Sequence, residues 1–437
     1  MNAERVKKFL DHLSSGGEGG KLKTVTRKET AAVEQNRAFG PVGTRSGEDV
    51  VIVSAVRTPI GKAKRGSFRN TTPDDLLKAV LEGVVTKSGV NTKEIQDVVV
   101  GNCQMGGAYA GPARGAQFRA GYPITATSHT LNRQCSSGLQ AVASIAAGIK
   151  AGYIDCGVGA GVESMTFGGA VTTSGGAPTN ESEIAGNKLA SDALIPMGIT
   201  SENVAARYGV TREEQDQMAA DSHAKALLAQ EKGWFEPEII PVKAMITDKD
   251  GNQSEAVITK DDGPRPGSTP EKLAKLKAVF KEGGSTTAGN ASQVSDGAAA
   301  VLLMKRDKAL RLGLPVIGSF RGFKVVGVEP DEMGVGPAVA IPAVLRDANI
   351  SAEMVDVYEI NEAFASQAAY CVKKLDIPME KVNPMGGAIA LGHPLGCTGA
   401  RQVATLLNQL HRTKGKVGVV SMCIGTGMGA AAIIEAE

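Results

Sequence analysis

Two cysteines and one histidine stand where a chain places reactive groups. Cys135 lies in N-R-Q-C-S-S-G-L-Q at 132–140, His393 in G-H-P-L-G at 392–396, and Cys423 in C-I-G-T-G-M-G at 423–429. Each sits at a turn close to Gly or Pro, and Cys135 and Cys423 sit where an apolar strand would end. Rigid scaffolds present catalytic side chains from such turns. Cys135 precedes a helix predicted to begin at Ser136 to Gly138, and the positive end of a helix favours a thiolate. Its neighbours Asn132, Arg133, Gln134, Ser136 and Ser137 are polar, unlike the surroundings of an inert core cysteine. His393, between Gly392 and Pro394, cannot lie mid-helix. Beside Cys135 it would complete the Cys–His pair of nucleophilic catalysis. The other histidines, at 12, 129, 223 and 411, fall in the N-terminal segment, a loop and polar helix faces. Cys423 is followed by alternating glycines, whose backbone N–H groups could bind an oxyanion. The predicted chemistry is a nucleophile with its base and a second acid/base.

The elements around these turns alternate strand and helix. The apolar run at 50–56 reads as a strand buried on both faces. A helix follows at 72–85, capped by Thr72 with Pro73 at its first position. Strand 97–101, helix 138–151 and the Gly-spaced strand 156–162 come next. This order predicts α/β layers with a mainly parallel sheet. The C-terminal part repeats the plan. The stretch 316–320 echoes the first strand and 356–360 echoes 97–101. Without a gap, Gly138 matches Gly399, Val142 Val403, Ala143 Ala404, Ser144 Thr405 and Ile145 Leu406. Two similar α/β halves around a pseudo-two-fold axis would let the helix starts near Cys135 and near His393 meet. Between the halves, 165–294 is a long insertion containing a helix over 211–230, and such insertions cover sites and bind substrates. The expected domains are 1–46 as targeting segment and linker, 47–164 with 295–315 as the first half, 165–294 as a loop domain, and 316–437 as the second half.

Composition bounds the alternatives. The 437 residues, 42% of them apolar, suffice for two or three domains with a large core. A net charge of +2 leaves no nucleic-acid footprint, and no apolar run reaches the ~18 residues of a membrane span. The six cysteines form no close C-x-x-C pair, so neither a disulfide scaffold nor a zinc site is indicated. Cys397 reads as a packing residue and Cys103, Cys156 and Cys371 as core. The fragments G-T-G-M-G at 425–429 and G-V-G-A-G at 157–161 lack the following helix and distant acid of a dinucleotide site.

Residues 1–13 read as an amphipathic helix with Val6, Phe9, Leu10 and Leu13 on one stripe. Its R-V-x5-H-L pattern at 5–13 resembles the type-2 peroxisomal targeting signal. Glu4 and Asp11 count against a mitochondrial presequence.

Seven motifs, in order from about Val50 to the end, resemble those of thiolases. They are N-R-Q-C-S-S-G-L-Q, G-V-E-S-M, P-M-G-I-T-S-E-N-V-A, T-A-G-N-A-S-Q-V-S-D-G-A-A-A, N-E-A-F-A, G-G-A-I-A-L-G-H-P-L-G-C-T-G-A-R and C-I-G-T-G-M-G-A-A. With the N-terminal pattern, the chain most resembles the peroxisomal or glyoxysomal 3-ketoacyl-CoA branch of that family. The resemblance implies a homodimer of five-layer αβαβα subunits with no metal or redox cofactor and coenzyme A as co-substrate. It implies thiolytic cleavage of 3-ketoacyl-CoA at the last step of fatty-acid β-oxidation, in a peroxisome or glyoxysome reached through an import receptor. Cys135 would be the nucleophile, His393 its proton acceptor, and Asn361 the holder of a water in the first oxyanion hole. Cys423 would protonate the departing enolate, and the N–H groups of Cys135 and Gly425 would form the second hole. Met197, Arg265, Ala288 and Ser292 would line the coenzyme A site, Arg265 near the nucleotide, with Phe364 of N-E-A-F-A beside the substrate. Pro196, where the biosynthetic branch commonly has His, leans toward the degradative direction. The same residues run in reverse in a biosynthetic acetoacetyl-CoA thiolase. A ketoacyl synthase would carry a second His in place of Cys423, and a non-catalytic acyl-CoA or lipid binder would lack Cys135 or His393.

Overall fold

In a computed structural model, the structure describes residues 39–105, 109–168, 179–248 and 250–437. The amphipathic helix expected over 1–13 lies outside them. The strands are β1 Val50–Arg57, β2 Gly61–Lys62, β3 Asp97–Gly101, β4 Thr127–Leu131, β5 Cys156–Ser164, β6 Val242–Thr247, β7 Gln253–Ile258, β8 Ser295–Lys305, β9 Gly318–Gly327, β10 Val357–Ile360, β11 Val417–Ile424 and β12 Met428–Ala436. The helices that matter to the site are α1 Pro73–Ser88, α2 Ala110–Arg119, α3 Ser137–Lys150, α4 Met197–Tyr208, α5 Arg212–Glu231, α6 Gly336–Ala348, α7 Ala365–Lys374 and α8 Leu395–Thr413.

One half-sheet runs β4-β3-β5-β8-β1 and the other β10-β11-β12-β9. They join through Val51↔Ser319 and Ile52↔Gly318. In each half a parallel pair is followed by two antiparallel ones: β3 with β5, β8 and β1 in the first, β10 with β11, β12 and β9 in the second. The duplication read from 316–320 and 356–360 therefore maps β1 onto β9 and β3 onto β10.

The sheet is mixed, not mainly parallel. β1 pairs antiparallel on both sides. A continuous apolar run reports burial of both faces, and here helices cover both faces of antiparallel strands as well. Alternate residues of β1, β3, β5 and β8 pack under α1 and α2 on the outer side. Their other faces join α3 and α8 at the centre. Beyond the second half-sheet lie α5, α6 and α7. The order is α-β-α-β-α, the five layers expected.

The central helices cross on glycine. A Cβ on Gly138 would stand 2.7 Å from Gly396 O, and one on Gly399 2.3 Å from Leu139 N. These are the residues matched in the repeat. Along β5 the glycines face the same pair. A Cβ on Gly159 would meet the Val142 backbone at 2.5 Å, and one on Gly161 would meet Gly396 O at 2.0 Å. Only residues without Cβ allow so close a backbone approach. The glycines spaced along 157–161 thus serve helix–sheet packing. The run at 425–429 turns β11 into β12, as its lack of a helix required.

Candidate active site

Cys135 sits one residue before the cap of α3, after a tight turn. Gln134 adopts φ +48°, unusual for a residue with a side chain. The turn is held by Gln134 N–H donating to Asn132 Oδ1 at 2.8 Å and Ser137 Oγ donating to Gln134 O at 2.7 Å. Burial pushes the Cys135 thiol up to about 11, against backbone N–H groups of Gly425 and of Cys135 itself that are directed at the sulfur. The expectation of a resting thiolate is thereby corrected. Desolvation outweighs the helix terminus, and the free site holds a thiol.

His393 faces the same cavity as Cys135. No hydrogen bond joins the two among the described residues. Its Nδ1 lies 2.6 Å from Thr398 Oγ1, which itself donates to Pro394 O at 3.0 Å. That hydroxyl has spent its proton, so Nδ1 carries the hydrogen and donates it. Nε2 is left as an acceptor, receiving Asn361 Nδ2–H at 3.2 Å. Burial, then Arg401, lowers the imidazole to about 3. It is a neutral base with its lone pair on the cavity side.

Cys423 lies one residue before the end of β11, fully buried. Burial and the neighbouring Cys135 hold its thiol well above the ordinary range, so it is a protonated acid. Its Sγ donates to Gln367 Oε1 at 3.7 Å, an oxygen that also accepts from Ala363 N–H at 3.0 Å. The following turn carries Thr426 at φ +72° and Gly427 at φ +93°, the latter with its absent Cβ 2.6 Å from Val328 O. This tight turn brings Gly425 N–H to Cys135.

The cavity over Cys135 has a volume of about 610 Å³, and Met165, Leu194, Met197, Met333, Phe364 and Leu395 give it an apolar wall. A second cavity of about 520 Å³ shares Phe280, Ala291, Ser292 and Gln293 with it and opens between Lys62, Lys64, Arg65 and Arg265. Ala288 and Ser292 line the second, Met197 and Phe364 the first. Of the ten residues named from sequence, seven line these two cavities, Cys423 and Gly425 lie at the end of β11 and in the turn after it, and Asn361 stands 3.2 Å from His393.

Three expectations fail in detail. His223 is buried on α5, where its Nδ1 accepts from Arg265 N–H at 3.2 Å and burial lowers it to about 4. His129 lies on the exposed strand β4, not a loop. Cys103, expected in the core, is half-buried with its Sγ on Gln134 Oε1 at 3.3 Å. Cys156, Cys371 and Cys397 are buried as expected.

The sequence reading missed Thr398, Gln293, Gln367 and Glu163. Glu163 accepts from Cys103, Gln104 and Gly396 N–H groups at 2.9–3.0 Å and so ties the start of α8 to the loop after β3. Burial raises it to about 7. A lone acid in a Gly/Val strand was the signal available for it. Thr398 was findable as the hydroxyl one helical turn past His393.

The N-terminal thiolase domain family matches residues 50–307 and the C-terminal thiolase domain family 314–436. The chain is 57% identical over 392 residues to peroxisomal 3-ketoacyl-CoA thiolase B of Rattus norvegicus, covering 89% of this chain and 91% of that one. The crystal structure of the dimeric peroxisomal thiolase of Saccharomyces cerevisiae superposes with a TM-score of 0.82 at 48% identity, over 90% of this chain and 99% of that one. Human mitochondrial 3-ketoacyl-CoA thiolase in complex with CoA gives 0.78 at 33% identity, over 89% and 98%. The paired halves, the channel and these matches together make the chain a member of the thiolase family.

Proposed function

We infer that this thiolase cleaves 3-ketoacyl-CoA with coenzyme A, giving acetyl-CoA and an acyl-CoA two carbons shorter, as the last step of peroxisomal fatty-acid β-oxidation. The observation that carries the reading is the neutral Cys135–His393 pair facing one apolar cavity, with the protonated Cys423 beside it. Relatives of the same name support the direction and the compartment.

The proton inventory sets the steps. As Cys135 sulfur bonds to the 3-keto carbon, its proton passes to the unprotonated Nε2 of His393. The alkoxide so formed meets Nε2–H and the Asn361 side chain. The C2–C3 bond then breaks, its electron pair leaving as the acetyl-CoA enolate, which takes the proton of Cys423. The acyl group remains as a thioester on Cys135, its oxygen at the N–H groups of Cys135 and Gly425. Coenzyme A gives its thiol proton to the Cys423 thiolate and attacks that thioester. Cys135 leaves and recovers its proton from His393. A soft sulfur suits both attack and departure, and donors fixed at the developing charges supply a large share of the acceleration.

Coenzyme A would lie along the channel, its phosphates among Lys62, Lys64, Arg65 and Arg265 and its arm past Ala288 and Ser292. Met197 and Phe364 would border the acyl end. The domain division 47–164 with 295–315, 165–294 and 316–437 follows the same logic, the insertion covering the cavity. The chain is proposed to form a dimer as the yeast relative does, and residues 5–13 to be read by an import receptor. The test is turnover of a medium-chain 3-ketoacyl-CoA, expected to require free coenzyme A and to fall by about 10⁴-fold or more in Cys135→Ala. Turnover that survives the substitution, or proceeds without coenzyme A, overturns the reading. Faster turnover of acetoacetyl-CoA than of the longer substrate would move it to the biosynthetic direction.

A further inference from the structure

Gln293 touches both ends of the channel, and no part of the mechanism above uses it. Its Oε1 accepts from Arg265 Nη2 at 3.2 Å, at the basic mouth. Its Nε2 donates to Ile389 O and Ala390 O at 3.0 Å each and to Gly263 O at 3.1 Å. Its own backbone carbonyl accepts the His393 N–H at 3.1 Å and the Ser295 hydroxyl at 3.0 Å. Ile389 and Ala390 belong to the short helix Ala388–Leu391, just ahead of the turn that carries His393.

The turn needs such a clamp. Gly392 sits at φ +109°, and a Cβ there would lie 2.8 Å from Ser295 Oγ and 3.0 Å from the Ile60 side chain. Gln293 grips the chain on both sides of that strained residue, by its side chain before and its main chain after. A single side-chain amide cannot be polarised at one end alone. A guanidinium on the oxygen makes the nitrogen's hydrogens better donors, because hydrogen bonds in a chain reinforce one another. What happens to Arg265 is therefore felt at Ile389 and Ala390, and through the clamped turn at the imidazole.

We propose that Gln293 is a positioning residue that couples occupation of the Arg265 mouth by the phosphates of coenzyme A to the placement of His393. The nucleotide end of the substrate then contributes to the chemical step and not to binding alone, as remote binding energy does when it orients reacting groups. This deepens the reading of Arg265 as a coenzyme A contact and rests on it.

A double-mutant cycle with steady-state kinetics tests it. Arg265→Ala, Gln293→Met and the double variant are assayed with 3-ketoacyl-CoA and coenzyme A, and with the N-acetylcysteamine thioester of the same 3-ketoacyl group and free N-acetylcysteamine, a pair that carries no phosphate. Methionine keeps the length of the side chain while removing donor and acceptor. The expected result is that Arg265→Ala raises KM for coenzyme A and also lowers kcat, by about fivefold to tenfold. In the Gln293→Met background, Arg265→Ala then raises KM alone, a coupling of the size seen between residues of one network. With N-acetylcysteamine, Gln293→Met lowers kcat and adding Arg265→Ala changes nothing more. Effects on kcat that simply multiply in the double variant overturn the coupling and leave Gln293 as a wall of the channel. An unchanged KM for coenzyme A in Arg265→Ala sinks the underlying placement of coenzyme A instead. Circular dichroism melts of each variant within a few degrees of the parent show that the fold is intact, and Gln293→Asn replaces Gln293→Met if that one is lost.

Discussion

At Cys135 two influences oppose each other, and burial prevails. The sulfur sits at a helix start with two N–H groups directed at it, yet the thiol is pushed up to about 11. Only the thiolate reacts with an alkylating agent. Alkylation of Cys135 by iodoacetamide should therefore climb about tenfold per pH unit from 7 to 9 with no plateau. A plateau near pH 7 would mean a preformed thiolate–imidazolium pair and would contradict the neutral His393. The tautomer of that neutral imidazole depends on Thr398, whose hydroxyl accepts the Nδ1 hydrogen at 2.6 Å. Thr398→Val keeps the shape of the side chain but removes that acceptor. It should lower kcat by about 10- to 100-fold, the cost of a misplaced base, with little change in KM. Equal losses in Thr398→Val and Thr398→Ser would show that the hydroxyl is not what matters. Cys135, His393 and Cys423 were legible because a reactive residue among Gly and Pro has few structural reasons to be there. Gln293 and Glu163 were not, because a polar residue in one dimension looks like surface. Only the packing reveals that each serves three backbone groups.

Between elements, the repeat was legible and the sheet direction was not. Helix and strand periods are local properties, whereas whether a strand runs with or against its neighbour depends on the crossover that precedes it. β8 returns to the first half-sheet only after the insertion, and runs antiparallel to both β1 and β5. Nothing in its own residues reports that. The matched glycines were readable as a repeat, but their purpose is the crossing of α3 and α8. Gly399→Ala would place a methyl carbon 2.3 Å from Leu139 N and 2.9 Å from Leu139 Cα. Backbone cannot retreat as a side chain can, so the helices must part. A loss of about 1–3 kcal/mol is expected, read as a lower urea midpoint. The same change at Gly111, with nothing within 4 Å of its missing Cβ, should leave the midpoint unchanged or raised. Equal behaviour of the two variants would contradict the crossing as the cause.

For the molecule as a whole, the insertion is fastened by buried charge. Arg57, at the end of β1 and wholly buried, donates from Nε to Glu238 at 2.5 Å and from Nη1 and Nη2 to both oxygens of Asp261 at 2.7 and 3.0 Å. Glu238 also accepts from Thr405 and Asn408 on α8. The insertion is thus tied to a strand of one half and the central helix of the other. Removing the cation leaves two carboxylates with one another in a dry site. Arg57→Ala should cost about 3–5 kcal/mol, measurable as a fall in the urea midpoint. Addition of guanidinium ion at millimolar concentration should restore part of it, and a loss below 1 kcal/mol would show that water reaches the pair.

The crossing of α3 and α8 has one more consequence, for how the sequence can drift over time. Main-chain atoms set the separation of the two helix starts, since Gly138 and Gly399 have no side chain to vary. The aliphatic residues farther along both helices can then be exchanged for others of similar bulk over many generations. Such exchanges change how firmly the layers hold but leave the span between Cys135 and His393 unaltered. The tolerance of the core and the precision of the chemistry are in this way inherited separately.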